Sequence, residues 1–345
     1  MTASILGLDL SYWQVTTLRG LAVAVFVILG AGTFVIAFLF KMMSYMQSRL
    51  GPMEAGPHGS LQLLAEVGKF LQKEDLTPDR ADAQLFRLAP YIVLASTFLL
   101  AVVMPFGPDA YFTNLDTGIF LAMGLSSVSV IGILIAGWAS ANKYSLIGGL
   151  RAAGQLIAYE LPMVLAIVGV VIQAGTLNLQ GIVMSQHEGA IFGWDAIGNP
   201  FILTQIVGFL VFLTAAQAEL AQPPFDMPVA ESEIVTGYIT EYSGMRFLLF
   251  FIGEFATAAV FSVIAATMFL GGWSLPFVKL DDNLMNVVGP LVLFAKMMLV
   301  GFFIFWVRFT FPRFREDQLQ AFAWKYLIPI SLINILATMA LKVAF

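Results

Sequence analysis

The stretch AQPPFDMPVAESEIVTGYITEYSGMRF, residues 221–247, lies between two strongly apolar runs and carries four acids but only one base. Its three prolines keep the backbone irregular, because proline has no N–H donor. Apolar residues alternate with the acids, which indicates a packed segment. Packed like charges shift some carboxyl pKa values toward neutrality, and such carboxyls suit proton uptake and transfer. The acids are Asp226, Glu231, Glu233 and Glu241.

The composition around this stretch is that of a membrane protein. The chain has 345 residues, of which 59% are hydrophobic and 11% are charged, and its mean hydropathy is +0.87. Ordinary soluble domains carry about twice that share of charge. We therefore predict an all-α polytopic membrane protein, with residues 1–345 forming a single membrane domain. Apolar runs near 20 residues mark the spans, and about eight are predicted: 18–40, 88–106, 118–138, 156–175, 201–222, 247–271, 288–307 and 326–344.

Basic residues predict the orientation of these spans. The odd-numbered loops hold thirteen Lys and Arg residues, whereas the even-numbered loops hold only Lys279. Cytoplasmic loops carry the excess of positive charge, so both termini are predicted on the non-cytoplasmic side. Tryptophans near the span ends are predicted to anchor the helices at the interface; they are Trp13, Trp138, Trp273, Trp306 and Trp324.

The first odd-numbered loop contains HGSLQLLAEVGKFLQKED, which predicts one amphipathic surface helix. Polar residues recur at helical spacing on one side, and apolar residues recur on the other. Such a helix lies along the membrane or under a partner. The predicted polar face is Gln62, Glu66, Lys69 and Lys73, and the predicted apolar face is Leu61, Leu64, Val67 and Leu71.

Four ionisable residues lie inside or at the ends of the apolar spans: Glu160, Glu219, Glu254 and Lys296. Charge at such depth costs several kcal/mol unless it is paired, protonated or hydrated. These residues are therefore either snorkelling groups and ion pairs between helices, or parts of a polar path. The chain has no cysteine, so it supplies no thiolate ligand for an iron–sulfur cluster. Its two histidines, His58 and His187, are far apart in sequence, and no metal site is predicted.

Five stretches resemble one family of membrane subunits of NADH-quinone oxidoreductase, respiratory complex I. The family comprises NADH dehydrogenase subunit 1 and its counterpart, the H subunit. The stretches cover the chain nearly end to end and follow the order of the family. They are QSRLGPMEAGPHGSLQLLAEVGKFLQKED with TPDRADAQLFRLAP; GWASANKYSLIGGLRAAGQLIAYELP; TLNLQGIV; AELAQPPFDMPVAESEIVTGYITEYSGMRF with FLGGW; and VRFTFPRFREDQLQAFAWKYLIP.

The resemblance implies a function. The chain would be the membrane subunit of a proton-pumping quinone oxidoreductase complex, in an energy-transducing membrane. It would form the quinone-access tunnel and the start of the proton path, with quinone as substrate. It would hold no redox cofactor itself, because the iron–sulfur clusters lie in partner subunits of the hydrophilic arm. Neighbouring membrane-arm subunits and the lipid bilayer would complete its surroundings, and no nucleic acid is involved.

The resemblance also implies roles for individual residues. Proton transfer would involve Glu160, Glu219, Asp226, Glu231, Glu233 and Glu241. Charge balance or partner docking would involve Arg151, Arg246, Arg308 and Arg313. The quinone tunnel would include Met42, Met46, Arg49, Phe225 and Tyr238, and the surface helix would border its entrance. The chain itself would contribute no catalytic residue to the redox step.

The sequence departs from the usual family pattern at three charged positions. Leu39 and Phe40 stand where the family commonly has a Glu-Arg pair, and Met53 and Glu54 stand where it commonly has Asn-Arg. Gln222 replaces an arginine ahead of the PFD motif. Two alternatives stay open. One is the corresponding subunit of a phenazine- or hydrogenase-linked complex, and the other is a stand-alone ion or solute transporter, although no internal repeat is visible.

Overall fold

The computed structural model describes residues 3–5, 8–10, 12–189, 199–275 and 282–344. Within these ranges the fold is dominated by helices. Seven helices are long and apolar enough to cross a membrane, and one shorter apolar helix joins them. The prediction of an all-α polytopic membrane protein is therefore confirmed. A short hairpin that was not predicted precedes the helices, in which β1 (Ala3–Ile5) pairs antiparallel with β2 (Leu8–Leu10).

The helices follow the chain in a simple order. The first half contains α1 (Tyr12–Phe34), a π-helical continuation (Val35–Met42), α2 (Met43–Met46), α3 (Gln62–Gln72), α4 (Ala83–Val102), α5 (Gly118–Ala139), α6 (Lys143–Ala174) and α7 (Leu179–Glu188). The second half contains α8 (Ile206–Glu219), α9 (Glu231–Ile234), α10 (Gly244–Phe269), α11 (Asp282–Thr310), α12 (Glu316–Phe322), a π-helical turn (Ala323–Leu327) and α13 (Ile328–Ala344).

Several predicted span limits differ from the observed helices. The first span runs over Trp13–Met46, the fourth over Lys143–Ala174 and the last over Glu316–Val343, each longer than predicted. These helices continue past the apolar run into polar sequence, where composition no longer marks them. The fifth span is shorter than predicted, because α8 has 14 residues. At 1.5 Å per residue it is about 21 Å long, less than the roughly 30 Å hydrocarbon core.

Helix α10 is the most enclosed of the candidate spans, with 67% of its apolar window buried. It packs against α1, α4 and α11, and it also contacts α3, α7 and α8. From Phe255 to Phe269 almost every side chain is buried, whatever its position around the helix. A helix that is apolar on all sides belongs inside a bundle. The other helices therefore surround α10, and the faces that they turn outward are apolar as well.

The predicted amphipathic helix is present as α3, but its packed face differs from the predicted one. Leu63, Val67 and Phe70 line a cavity against α1 and α10. Leu61, Leu64 and Leu71 are 51%, 67% and 63% exposed, so three of the four residues of the predicted apolar face point outward. The packed face consists of Leu63, Val67 and Phe70, which are spaced by four and three residues, as expected for one face of a helix. Because leucines occur on both sides of this face, the sequence pattern alone did not identify it.

Four of the five tryptophans predicted as interfacial anchors are exposed, whereas Trp273 is buried. Four of the tryptophans are between 45% and 77% exposed, whereas Trp273 is 2% exposed. Its indole Nε1–H donates to Gln180 Oε1 at 3.3 Å. A buried indole usually finds such a partner, so Trp273 is a core residue and not an interfacial anchor. The exposed four are Trp13, Trp138, Trp306 and Trp324.

Lys296 of α11 binds the chain at the end of α10. Its ammonium donates to the backbone carbonyl oxygens of Leu270, Gly272 and Ser274 at 2.6, 2.8 and 2.7 Å. A helix leaves its last carbonyl groups without intrahelical partners, and a cation there also complements the helix dipole. Lys296 therefore supplies hydrogen-bond donors to the carbonyl groups at the end of α10. It forms no ion pair with a residue in the described ranges, in contrast to the paired arrangement that the sequence suggested.

We expect Lys296→Met to destabilise the end of α10, because three buried carbonyl groups would lose a charged donor. An unsatisfied buried acceptor costs roughly 1–3 kcal/mol. The measurement is hydrogen exchange of the amides at residues 264–274 in the purified complex, together with its melting temperature. Lys342→Met is the matched control, since that exposed lysine binds a single carbonyl, that of Ile172. Equal exchange in the two variants would contradict the capping role.

Two cavities beside helix α10 as the candidate functional site

The acidic segment folds back against α6 through two glycines. Gly237 has a φ of +59°, and a Cβ there would collide with the carbonyl oxygen of Pro228. On α6, a Cβ at Gly148 would meet the backbone of Gly237 and Tyr238. Glycine is the residue that tolerates both positive φ and such close backbone approach. This packing holds residues 221–243 as a fixed wall, as the interleaved apolar residues predicted.

The wall closes a cavity of about 180 Å³ that is lined by several ionisable groups. Helices α4, α5, α6, α8, α10 and α11 all contribute to its lining. We call it the carboxylate cavity. Its polar and ionisable lining residues are Ser129, Glu219, Gln222, Asp226, Tyr238, Glu254, Thr257 and Arg308.

A three-residue chain of contacts crosses this cavity. The Arg308 guanidinium donates to Gln222 Oε1, and Gln222 Nε2 donates to Glu254 Oε1. Arg308 Nη1 lies 3.6 Å from the same Glu254 oxygen. Gln222 is 1% exposed, so the amide is locked between the two charges. A carboxylate within a helical bundle is tolerated when it is paired and hydrogen-bonded in this way.

Glu219 and Glu160 form a second acidic pair with less compensation. Glu219 is buried, and its Oε2 has no hydrogen-bond partner among the described residues. Glu160 of α6 acts electrostatically on Glu219 and accepts a hydrogen bond from Ser127 of α5. Glu160 lies midway along α6, not near the start of its span as the sequence indicated, because α6 begins at Lys143.

Asp226 and Tyr238 lie on the loop side of the carboxylate cavity. Burial raises the pKa of the Tyr238 hydroxyl, and the carboxylates of Glu254 and Asp226 raise it further. The phenol therefore stays protonated at neutral pH and remains a neutral hydrogen-bond donor. Tyr238 also packs edge-on against Phe250 of α10, with ring centroids 5.5 Å apart.

Glu233 lies outside the cavity, in an exposed cluster of charges. Its Oε2 is 2.6 Å from Arg151 Nη1, and its Oε1 is 3.9 Å from Arg313 Nη2. The hydrogen bond from Arg151 is the main cause that lowers the pKa of Glu233. Arg151 also pairs with Glu316 at 3.5 Å. These ion pairs join the acidic segment to α6 and to the chain around α12.

Two further predicted residues bind elsewhere along the same segment. Glu241 accepts a hydrogen bond from Asn142 Nδ2, at the start of α6. Arg246 pairs with Asp75 at 2.9 Å and donates to Thr77 Oγ1 at 2.8 Å. Arg246 therefore holds the α3–α4 connection and not the acids of its own segment. The side chain of Glu231 lies outside the described ones.

The second cavity is almost entirely apolar and has a volume of about 280 Å³. It lies between α1, α3 and α10, and Glu66 is its only charged lining residue among those described. We call it the apolar cavity. Its largest apolar lining residues are Phe40, Phe70, Leu248, Phe251, Ile252 and Phe255.

The five predicted tunnel residues are dispersed. Met46 and Arg49 are exposed and Met42 is half-buried; none of the three is among the described residues that line either cavity. Phe225 is packed in the core, with its ring centroid 5.2 Å from that of Tyr159. Only Tyr238 lines a cavity, and that is the carboxylate cavity. Phe40 was singled out as a departure from the family pattern, and it lines the apolar cavity.

The sequence reasoning missed Glu254 and Gln222 as site residues. Glu254 was visible as a single acid inside an apolar span, but nothing in the sequence showed that Arg308 lies opposite. Gln222 was noted only as a replaced arginine. Within the described ranges, no group of three or more His, Cys, Asp and Glu side chains is arranged to hold a metal ion.

The described arrangement can be compared with known proteins. The family model for NADH dehydrogenase matches residues 19–339. The chain is 44% identical to the H subunit of NADH-quinone oxidoreductase from Brevibacillus brevis, over 90% of this chain and 89% of that one. It is 43% identical to the same subunit from Bacillus cytotoxicus over 94% of both chains. It is 42% identical to NADH-quinone oxidoreductase subunit 8 of Rhodothermus marinus, over 86% of this chain and 88% of that one.

These similarities extend over the helices that form both cavities and over the acidic segment. They agree with the resemblance drawn from the five sequence stretches. The chain is an integral membrane protein, and it belongs to the NADH dehydrogenase family, the family of the H subunits of NADH-quinone oxidoreductase (complex I) named above.

Proposed function

We propose that this chain is the membrane subunit of a proton-pumping NADH-quinone oxidoreductase, a translocase, and that it links a quinone tunnel to the start of a proton path. The observation that carries the proposal is the position of α10 between two cavities of opposite chemistry. Phe255 lines the apolar cavity, and Glu254, one residue earlier, lines the carboxylate cavity. Helix α10 thus lines both the apolar cavity and the carboxylate cavity.

The apolar cavity suits the isoprenoid tail of a quinone. Such a tail is a hydrocarbon chain, and burying it against apolar side chains is favourable in proportion to the area removed from water. The cavity is walled by α3, the surface helix that the family resemblance puts at the border of the quinone entrance. The tunnel residues that we assign from its lining are Phe40, Leu63, Val67, Phe70, Phe251 and Phe255.

The carboxylate cavity suits the beginning of a proton path. Glu219 and Glu160 are poorly compensated, and two such carboxyl groups cost less when they share a proton. Asp226, the neutral phenol of Tyr238 and Glu254 continue the polar lining. We assign proton transfer to four acids, and we retain Glu231 on the family resemblance alone. The four are Glu160, Glu219, Asp226 and Glu254. Glu233 and Glu241 are assigned to holding the loop, since both are bonded outside the cavity.

The chain would hold no redox cofactor, and the electrons for its substrate would come through partner subunits. The iron–sulfur subunits of the hydrophilic arm would dock on the side that carries Arg151, Arg313 and Glu233. There, the Glu233 side chain that pairs with Arg151 and Arg313 is 47% exposed, so this charged cluster is accessible to a docking subunit. Neighbouring membrane-arm subunits and lipid would cover the apolar outer faces. Residues 1–345 would act as a single membrane domain.

Two other functions make different predictions. A phenazine- or hydrogenase-linked complex would keep the same carboxylate cavity but would not reduce quinone. A stand-alone transporter would copurify without iron–sulfur subunits. The relatives are named as NADH-quinone oxidoreductase subunits, and this favours the first proposal over both.

The proposed orientation places both termini on the non-cytoplasmic side, in accord with the bias of basic residues. Because the chain has no cysteine, single cysteines at exposed loop positions test it directly. In right-side-out vesicles, an impermeant maleimide should label Asp116→Cys, in the α4–α5 connection. Asp79→Cys, in the α3–α4 connection, should react only after the vesicles are opened. The reverse pattern would refute this orientation.

We expect Val67→Trp to raise the KM for quinone about tenfold, which corresponds to about 1.4 kcal/mol of lost binding, because the larger side chain fills the apolar cavity. Leu64→Trp, one turn away on the outward face of α3, is the matched control and should leave the KM unchanged. The measurement is NADH:quinone reductase activity with quinones of long and short tail. A smaller effect for short-tailed quinone identifies the cavity as the tail site. Equal KM values in both variants would place the tail elsewhere.

We expect Asp226→Asn to slow quinone-coupled turnover and proton uptake by roughly ten- to a thousand-fold, since acid–base groups contribute at about this scale. The amide keeps the size of the carboxyl but exchanges no proton. Asp317→Asn is the control, because Asp317 is exposed and pairs only with Arg315 among the described residues. Activity is measured in proteoliposomes, and assembly is checked on native gels. An assembled Asp226→Asn complex with normal pumping would remove Asp226 from the path.

A further inference from the structure

One contact between a residue of the apolar cavity and a residue of the carboxylate cavity joins Phe255 to Arg308. Phe255 is 1% exposed and lines the apolar cavity. Arg308 lines the carboxylate cavity, and its Cζ lies 6.0 Å from the centre of the Phe255 ring. A guanidinium at this distance from an aromatic face is attracted by the ring quadrupole, and more strongly where water is excluded.

Arg308 is held by rings on one side and by polar groups on the other. Its Cζ also lies 5.8 Å from the ring centre of Phe305 and 5.7 Å from that of Phe309. On its polar side it donates to Gln222 and faces Glu254 at 3.6 Å. Glu254 is the only carboxylate with which Arg308 forms an ion pair in the described ranges. The position of Arg308 therefore determines how strongly Glu254 is compensated.

The rings beside Arg308 form a stack that reaches the π-helical continuation of α1. Phe255 is nearly parallel to Phe305, with an interplanar angle of 14°, and Phe305 is nearly parallel to Phe38 at the same angle. Packed aromatic layers transmit a displacement, because the interior has few voids to absorb it. A ligand in the apolar cavity would contact Phe255, because this side chain lines that cavity.

We propose that Phe255 is a positioning residue that couples occupancy of the apolar cavity to the charge of Glu254. When a quinone tail fills the cavity, Phe255 shifts, Arg308 moves away from Glu254, and Glu254 takes one proton from the carboxylate cavity. When the tail leaves, Arg308 returns and Glu254 releases that proton to the carboxylate of Glu219, which lines the same cavity, so one proton advances along the proposed path in each cycle of occupancy. No electron is transferred in this step, which is one protonation and one deprotonation of Glu254. The inference rests on the proposed function for the identity of the ligand.

Because Gln222 is neutral, the charge of Glu254 responds to the position of Arg308. The amide is neutral and joins Arg308 to Glu254, so Arg308 is the cation that compensates this carboxylate. A second cation at position 222 would keep Glu254 ionised when Arg308 moves, because an opposite charge within about 4–6 Å favours the ionised form. The replacement of the family's common arginine by glutamine therefore belongs to the same device.

The test uses the assembled complex and infrared difference spectra recorded when decylubiquinone is added without NADH. Wild-type complex should show a carboxyl C=O band that appears with quinone, shifts in D₂O and is absent in Glu254→Gln. Phe255→Leu keeps the apolar contact but removes the ring face, and it should lose most of this band. Phe255→Tyr keeps the ring and should retain it. Phe70→Leu changes the same cavity from α3, where the Phe70 ring stacks on Phe247, so it should raise KM but keep the band.

A second readout is the number of protons moved per quinone reduced. We expect Phe255→Leu to lower this ratio severalfold at a modest change in KM, while Phe70→Leu keeps the ratio. Gln222→Met tests the other end of the chain of contacts and should reproduce the loss, so the inference is tested even if Phe255→Leu does not assemble. A Phe255→Leu or Gln222→Met complex with the full band and ratio would overturn it. A wild-type complex that binds no quinone would instead refute the proposed function.

Discussion

Glu254 is a carboxylate on the most enclosed helix of the bundle, and the rest of the site depends on how that charge is compensated. Ionisable groups at such positions cost several kcal/mol unless they are paired, protonated or hydrated. Arg308 and Gln222 supply the pairing. Arg308 comes from α11 and Gln222 from the loop after α8, so this single requirement brings three parts of the chain together around α10.

The same requirement explains the acidic segment. A loop that approaches the membrane must have its backbone groups covered by protein or water, and residues 221–243 satisfy this by packing on α6 through Gly148 and Gly237. Ion pairs from Glu233 to Arg151 and Arg313 fix its outer edge. The acids therefore divide by position. Of those that face the cavity, Glu254 is paired with Arg308, whereas one oxygen of Glu219 has no hydrogen-bond partner among the described residues; Glu233 and Glu241, outside it, are bonded and hold the loop.

The sequence predicted the fold class, the surface helix and the packing of the acidic segment, because each depends on local pattern. Apolar runs near 20 residues and a helical repeat can be recognised without knowledge of neighbours. It did not predict which side of α3 packs, since leucines lie on both sides, nor that Trp273 is buried. Glu254 was seen but not assigned, because its partner Arg308 lies 54 residues later (308 − 254) and pairing across that distance leaves no local signal. The lining of the apolar cavity left no local signal for a similar reason, because its wall comes from three separated helices.

The departures from the family pattern acquire a physical meaning from their positions. Phe40 lines the apolar cavity and Gln222 lies between Arg308 and Glu254, so one replaced charge would have faced each cavity. With a neutral residue at both places, the apolar cavity has Glu66 as its single charged lining residue among those described, and Glu254 has a single cation opposite. Fewer fixed cations make the position of Arg308 matter more, because it is the one cation among the described residues that lines the carboxylate cavity. Coupling through Phe255 then acts on one ion pair, and the strength of that pair sets how far a ligand in one cavity changes the other.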